Sequence, residues 1–485
     1  MKKQLLTLYL MLSLTFSLFS QMFDNNWIIG GAGNITKLHF SNGAVNVEMP
    51  TSFSGAFLAT TASISDSSGS LLFYTNGVKV FNKLGQVMEN GDSLAPSNYT
   101  SQMYNVGLSI PQGAIILPKP SSPNIYYLFH YTAGDSSYDY PQKMLYSVID
   151  MSQNNGDGKV MVKNQTVISD LLVHGGLTAC KHANGNDWWI VMPKAVSNKT
   201  YTILLTSNGI KAVYLEPSVY TNPIYDDIGS SCFSPNGEKY IRTLWSKKKV
   251  LVYDFDRCNG SFSNLQVFNA PTDGLNLRGV AVSPNSQFLY VSVDSVLCQY
   301  DLTANNIDAS RDTVAIYDGT ISPTQSTVFG ALQLAPDGKI YVATGNSTNK
   351  MHIINAPDSL GISCNVQQNV INFPSTMPRF TPHFPNYRLS ALAEPCDTTS
   401  SVQSAVNSKQ VQVYPNPVRE KVYIELPASS EARQLYVYNA MGQLVYNQAL
   451  RQELTQVFVG NWAKGLYFYE VVFKEGKVHG KLQVE

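Results

Sequence analysis

Few residues in this chain combine the types and the spacing that chemistry requires. His174 and His182 lie eight residues apart with Asp187 close behind, and two imidazoles with a carboxylate can hold a metal or work as an acid–base pair. An eight-residue step along a strand and its turn sends such side chains in unrelated directions, so turn and surface roles suit them better. Asp226-Asp227 and the pair Asp254 and Asp256 offer carboxylates for calcium or for catalysis. The D-x-D here lacks the glycine-punctuated loop of a calcium site. It also ends a strand, where carboxylates commonly bond turn amides. The chain carries no Gly-rich phosphate cradle, G-x-S-x-G elbow or H-E-x-x-H. Trp188-Trp189 and Tyr126-Tyr127 could stack on sugar rings, but on an alternating strand one member of each pair must face the packing. The sequence therefore assigns no catalytic residue, no metal ligand and no cofactor.

The six cysteines (Cys180, Cys232, Cys258, Cys298, Cys364 and Cys396) form no C-x-x-C pair and match no zinc spacing. They fit an oxidising compartment. Cys180, Cys232 and Cys298 sit in strand-like runs, where a cysteine packs as a small apolar residue. Cys364 and Cys396 lie in late, loop-like stretches and are the expected disulfide.

The elements that would position these groups are strands. The chain has 28 tyrosines, 33 glycines and 24 prolines in 485 residues, a strand-and-turn composition. Its 34 basic and 34 acidic residues balance, and only 14% of residues are charged, which excludes a nucleic-acid footprint. Lys247-Lys248-Lys249 is the only basic triplet and reads as a solvated hairpin tip.

A unit recurs: S-C-F-S-P-N-G-E-K-Y-I-R-T from Ser231, V-A-V-S-P-N-S-Q-F-L-Y-V-S from Val280, and L-Q-L-A-P-D-G-K-I-Y-V-A-T from Leu332. Each is a strand, a polar turn and a second strand. The turns fall at Gly237, Ser286 and Gly338, in steps of 49 and 52 residues, with T-A-C-K-H-A-N-G one step earlier at Gly185. Looser copies start at Ser63 and Ala114. Third and fourth strands follow, such as K-V-L-V-Y-D-F-D and S-N-L-Q-V-F. Four strands in about 50 residues is the signature of a β-propeller blade. Six copies are complete. N-W-I-I-G-G, I-T-K-L-H-F and A-V-N-V-E-M supply three further strands, and Arg379 to Leu392 is expected to add one or two, closing a seven-bladed ring. The runs Ser63–Asn82, Val252–Gly260 and the S-P-N-S and A-P-D-G hairpins resemble the propellers of large secreted Bacteroidetes surface proteins. The resemblance covers roughly residues 26–396 and implies architecture, not biochemistry. This chain lacks the adhesive repeats of the longer members, so an adhesin role is not implied.

The last stretch alternates as half-buried strands do: Val422, Ile424 and Leu426, then Leu435 and Val437, Leu444, Leu466 and Phe468, Val478 and Leu482. Turn residues at Asn439 to Gly442 and at Lys464-Gly465 separate these runs, and Pro415-Asn416-Pro417 cannot continue a paired strand. Such spacing argues for a small β-sandwich of about six or seven strands. Tyr414-Pro415-Asn416-Pro417, the N-A-M-G-Q turn with Gly442, and Gly465-Leu466-Tyr467 resemble the type A C-terminal sorting domain of the type IX secretion system. That resemblance implies passage through the type IX machinery, removal of the domain by its sortase-like protease, and attachment to surface lipopolysaccharide or release. At the other end, Met1-Lys2-Lys3, the apolar run Leu5 to Phe19 and Ser20-Gln21 read as a cleaved signal peptide, with no later transmembrane segment.

The expected organisation is a signal peptide (1–21), an all-β propeller (22–392), a small polar linker (393–410) and the sorting sandwich (411–485). The expected function is a cell-surface or secreted, non-enzymatic binding module for a protein or glycan. The alternative is a secreted lyase or glycan-active hydrolase with its site at the channel mouth, which needs at least three polar groups converging on one point.

Overall fold

The computed structural model describes residues 21–31, 34–41, 43–132, 140–217, 229–271, 276–376, 379–394, 396, 411–426, 432–440, 443–450, 454–473 and 476–485. Residues 1–20, which carry the expected signal peptide, together with Asp226, Asp227, Gly442 and most of the expected linker, lie outside them. Two compact units divide at Cys396 and Asp397.

The first unit is a β-propeller of seven antiparallel sheets that follow one another along the chain, at residues 26–48, 62–82, 114–169, 178–217, 231–269, 277–316 and 329–372. The first two blades have three strands and the other five have four. Each blade is a simple meander whose first strand packs against the first strand of a neighbour, so the first strands line the axis. The repeated turns explain this regularity. Ser234 and Ser283 each donate a hydroxyl to the Asx carbonyl two residues on (2.6 Å), and that carbonyl accepts an amide of the following turn. The next residue must turn left-handed, and Gly237 and Ser286 do so with φ of 76° and 65°. Ser286 also accepts from the Asn236 amide (2.9 Å), joining the fifth and sixth blades turn to turn.

Between blades, alternate residues face opposite neighbours. Trp188 donates its indole N–H to Pro118 O (3.2 Å) on one side, while Trp189 donates to Arg257 O (2.8 Å) on the other. Both are at most 2% exposed, and Tyr126 and Tyr127 are buried too. Neither pair is a sugar platform: with a blade on each side, both parities of the strand meet packing.

Ring closure differs from the expectation. Arg379 to Leu392 adds no strand to the first blade; Pro382 and Pro385 remove the amides a strand would need. The last blade packs directly on the first, with Tyr341 edge-on to Trp27 and Phe40 at ring distances of 5.6 and 5.2 Å. The freed segment instead threads the axis of the ring. Residues 382–385 and Tyr387 are buried there, and Phe384 stacks on Trp27.

The second unit is a two-sheet sandwich. Gln412–Tyr414, Lys421–Glu425 and Leu454–Phe458 form one sheet; Leu444–Ala449, Ala432–Asn439, Gly465–Phe473 and Gly476–Val484 form the other. Val422, Ile424, Leu435, Val437, Val471 and Leu482 fill its core. Leu466 and Phe468 do not face inward as expected: Tyr467 and Val471 do, and Leu444 is exposed as well. G-L-Y-F-Y-E-V-V-F is apolar on both parities, so its pattern cannot select a face.

Candidate functional site

The first strands of the propeller start at one face of the ring and end at the S-P-N-G turns of the other. At the strand-start face the axis opens into a cavity of about 500 Å³. Its wall takes Phe57 and Leu58 from before the second blade, Trp245 from the fifth and Arg278 from the sixth. Arg379 and Phe380 of the axial segment stand at its edge, and His383 lies at its floor. At the turn face a second cavity of about 280 Å³ reaches the same histidine from below. The axial segment therefore closes the channel, and the larger cavity is blind.

Gln112 fixes that floor. Its side-chain carbonyl accepts from Gly176 N (2.9 Å) and Ser231 N (3.0 Å), and its amide donates to Ser231 O (2.9 Å) and to His383 Nδ1 (3.0 Å). With Nδ1 accepting, the His383 Nε2–H is left to donate to Thr178 Oγ1 (2.9 Å). Burial pulls this histidine down to about 4, so it is neutral at physiological pH and both ring nitrogens are engaged.

Below His383 the segment is tied at every step. Asn386 donates to Pro235 O (2.7 Å) and the Tyr387 hydroxyl donates to Ile116 O (2.7 Å). Arg388 makes a two-pronged ion pair with Asp24 (2.9 and 2.6 Å), which joins the chain after the last blade to the chain before the first. Arg257, only 4% exposed, has its charge solvated by carbonyls: it donates to Lys181 O (3.0 Å), His182 O (3.2 Å) and Ser390 O (2.6 Å). Beside it Cys258 is disulfide-bonded to Cys396. The expected Cys364–Cys396 bond is thus replaced by Cys258–Cys396. Cys364 is buried in the turn Gly361–Cys364 between the last two blades, whereas the axial segment carries Cys396 out beside the fifth.

The other candidates are dispersed. His174 and His182 stand at opposite ends of the strand Thr178–Lys181, and His182 and Asp187 both bond within the turn that follows. Asp254 is held by Lys239 and by Asn264 (2.7 Å), and Asp256 caps the turn amide of Cys258 (2.7 Å). Cys180 and Cys232 are free thiols that burial pushes up to about 12, and the buried Cys298 thiol lies against Thr313 Oγ1. Among the described residues no three His, Cys, Asp or Glu side chains gather as a metal site. In the sandwich, Tyr414 donates to Glu425 (2.8 Å) and Asn416 brackets the last strand through Lys481 O (2.8 Å) and Gln483 N (2.9 Å). Gly465 opens a strand, and the Tyr467 hydroxyl donates to Ala463 O (2.8 Å).

Sequence reasoning passed over Gln112, His383, Arg388 and Arg257. The available signal was T-P-H-F-P-N-Y-R, a proline-broken run with polar and aromatic residues that no strand could use.

Residues 412–485 match the family described as the secretion system C-terminal sorting domain, which directs type IX secretion to the cell surface or extracellular space. No curated protein matches the sequence at a significant level. Among solved structures, a putative 6-phosphogluconolactonase from Bacteroides uniformis is similar at 11% identity and a TM-score of 0.38, over 90% of this chain and all of that one. A periplasmic gluconolactonase from Pseudomonas aeruginosa aligns at 12% identity and 0.40, over 74% and 99%. PorZ, a surface component of the type IX system of Porphyromonas gingivalis, aligns at 11% and 0.32, over 95% and 69%. At identities this low the likeness says nothing of activity. Among the described residues, no helix is long and apolar enough to cross a membrane.

Proposed function

We propose that this chain is a non-enzymatic binding propeller that enters the periplasm behind a cleaved leader. Its sorting domain then carries it outward and is removed by the sortase-like protease of the type IX machinery. The ligand site is the blind cavity at the strand-start face, and the ligand is a glycan. One observation supports this reading above the others. The cavity falls within the roughly 300–1,000 Å³ of small-molecule sites, yet the titratable groups on its described wall are Arg278, Arg379 and a histidine with both nitrogens engaged. A hydrolase or lyase at this mouth would require a base or nucleophile with a free lone pair beside an acid. Trp245 and Phe380 offer instead the aromatic surface on which sugars rest.

The test is a glycan array with the full-length protein and a Ser347→Trp variant, because Ser347 is exposed at the cavity wall and a large side chain there fills the mouth without disturbing the core. Glycans bound by the wild type and lost by Ser347→Trp are expected. Binding untouched by that substitution would place the ligand elsewhere.

A further inference from the structure

Resting on that cavity reading, we infer that the ligand is an acidic saccharide whose carboxylates are taken by Arg278 and Arg379 while a sugar face lies on Trp245. The charge balance of the cavity carries this. Two guanidinium groups reach it, from different parts of the chain, and no Asp or Glu is among its described wall residues.

Arg278 is oriented for the task. Its Nε donates to Asp294 (2.6 Å), and Asp294 is itself held by the Asn276 amide (3.1 Å) and side chain (2.8 Å). Among the described residues neither Nη of Arg278 is bonded, so the outer fork remains for an incoming carboxylate, the geometry a guanidinium fits in two-pronged fashion. Arg379, from the axial segment, is exposed at the cavity, with no ion pair among the described residues.

The one basic triplet in the sequence belongs to the same face. Trp245 is the first residue of the turn between Lys239–Leu244 and Lys249–Phe255, Lys247 and Lys248 end that turn, and Lys249 opens the next strand. The aromatic platform and the lysines are thus parts of one hairpin tip at the cavity rim. A chain of acidic sugars leaving the cavity over Trp245 meets the exposed Lys247, which raises its local concentration and its rate of capture. A neutral glycan shares the aromatic platform but gains no charge pairing from the arginines or the lysines.

Calorimetric titration of the full-length protein with trigalacturonate, and with maltotriose as a neutral trisaccharide, tests this. Trigalacturonate should bind at least about tenfold more tightly, with Arg278→Gln and Arg379→Gln each weakening it by about tenfold, the size of one charge-assisted bond. Added salt should weaken it further. Arg379 is exposed, so its variant folds even if loss of Arg278 disturbs Asp294. Equal binding of both sugars, lost on Trp245→Ala but untouched by the arginine variants, would overturn the acidic preference and leave the cavity reading standing. Binding of neither sugar, with glycans still captured on the array, would likewise overturn it.

Discussion

His383 is the residue on which the axis turns, and its chemistry is set by burial rather than by charge. It shares that state with His130 and His352: burial lowers the three from an ordinary 6.5 to about 4, about 3 and about 4. The sign follows directly. Between pH 6.5 and about 4 the unfolded chain takes up protons that the folded chain refuses, so stability is full above about 6.5 and falls as the pH drops toward 4. Linkage sets the effect at on the order of 3 kcal/mol for each fully titrated histidine. Urea unfolding from pH 7.5 to 4 should show this decline, and His383→Gln should make it shallower; a flat profile in the wild type would contradict it. Periodicity could not mark His383, because a histidine between two prolines carries no period. Its partners Gln112 and Thr178 lie 271 and 205 residues away. Asp256 was legible as a turn cap, since its partner amide is two residues on, whereas Asp254 instead pairs with the side chains of Lys239 and Asn264.

Elements were far easier to read than residues. The hairpin repeat places six of the seven sheets because each of those blades is defined by its own strand-turn-strand pattern, and Gly185, Gly237, Ser286 and Gly338 all turn left-handed where the spacing put them. The axial segment was not readable as such. Its prolines exclude a strand, but only three-dimensional closure shows that the space they leave is the channel. That segment is held by Gln112, Asp24 and Arg257, and by a disulfide that spans 138 residues of sequence. In the chain-entropy account, constraining so long a loop stabilises a fold by about 5 kcal/mol. Cys258→Ser with Cys396→Ser should therefore lower Tm by several degrees and speed proteolysis near Ser390. An unchanged Tm and cleavage rate would mean that the other ties hold the segment alone. In the sandwich the mistaken facing of Leu466 and Phe468 has the opposite origin, a strand too apolar for its period to be read.

At the scale of the molecule, the chain is two units with separate duties. The sorting sandwich has its own core and its own sheet edges, and the ring closes on itself through Trp27, Tyr341 and the axial segment before Cys396 is reached. On the proposed reading, the sandwich is an address that can be removed from the cargo. Its legibility comes from the density of local turn and strand signals in 412–485, where family and structure coincide. Ligand choice is illegible in the sequence because the cavity gathers single residues from distant blades. The most direct measurement of the whole account is fractionation of cells producing a chain that ends at Cys396, beside the full-length protein. The account predicts that the shortened chain stays in the periplasm, folded and with the full-length protein's sugar affinity. Delivery of the shortened chain to the cell surface or the medium would contradict it.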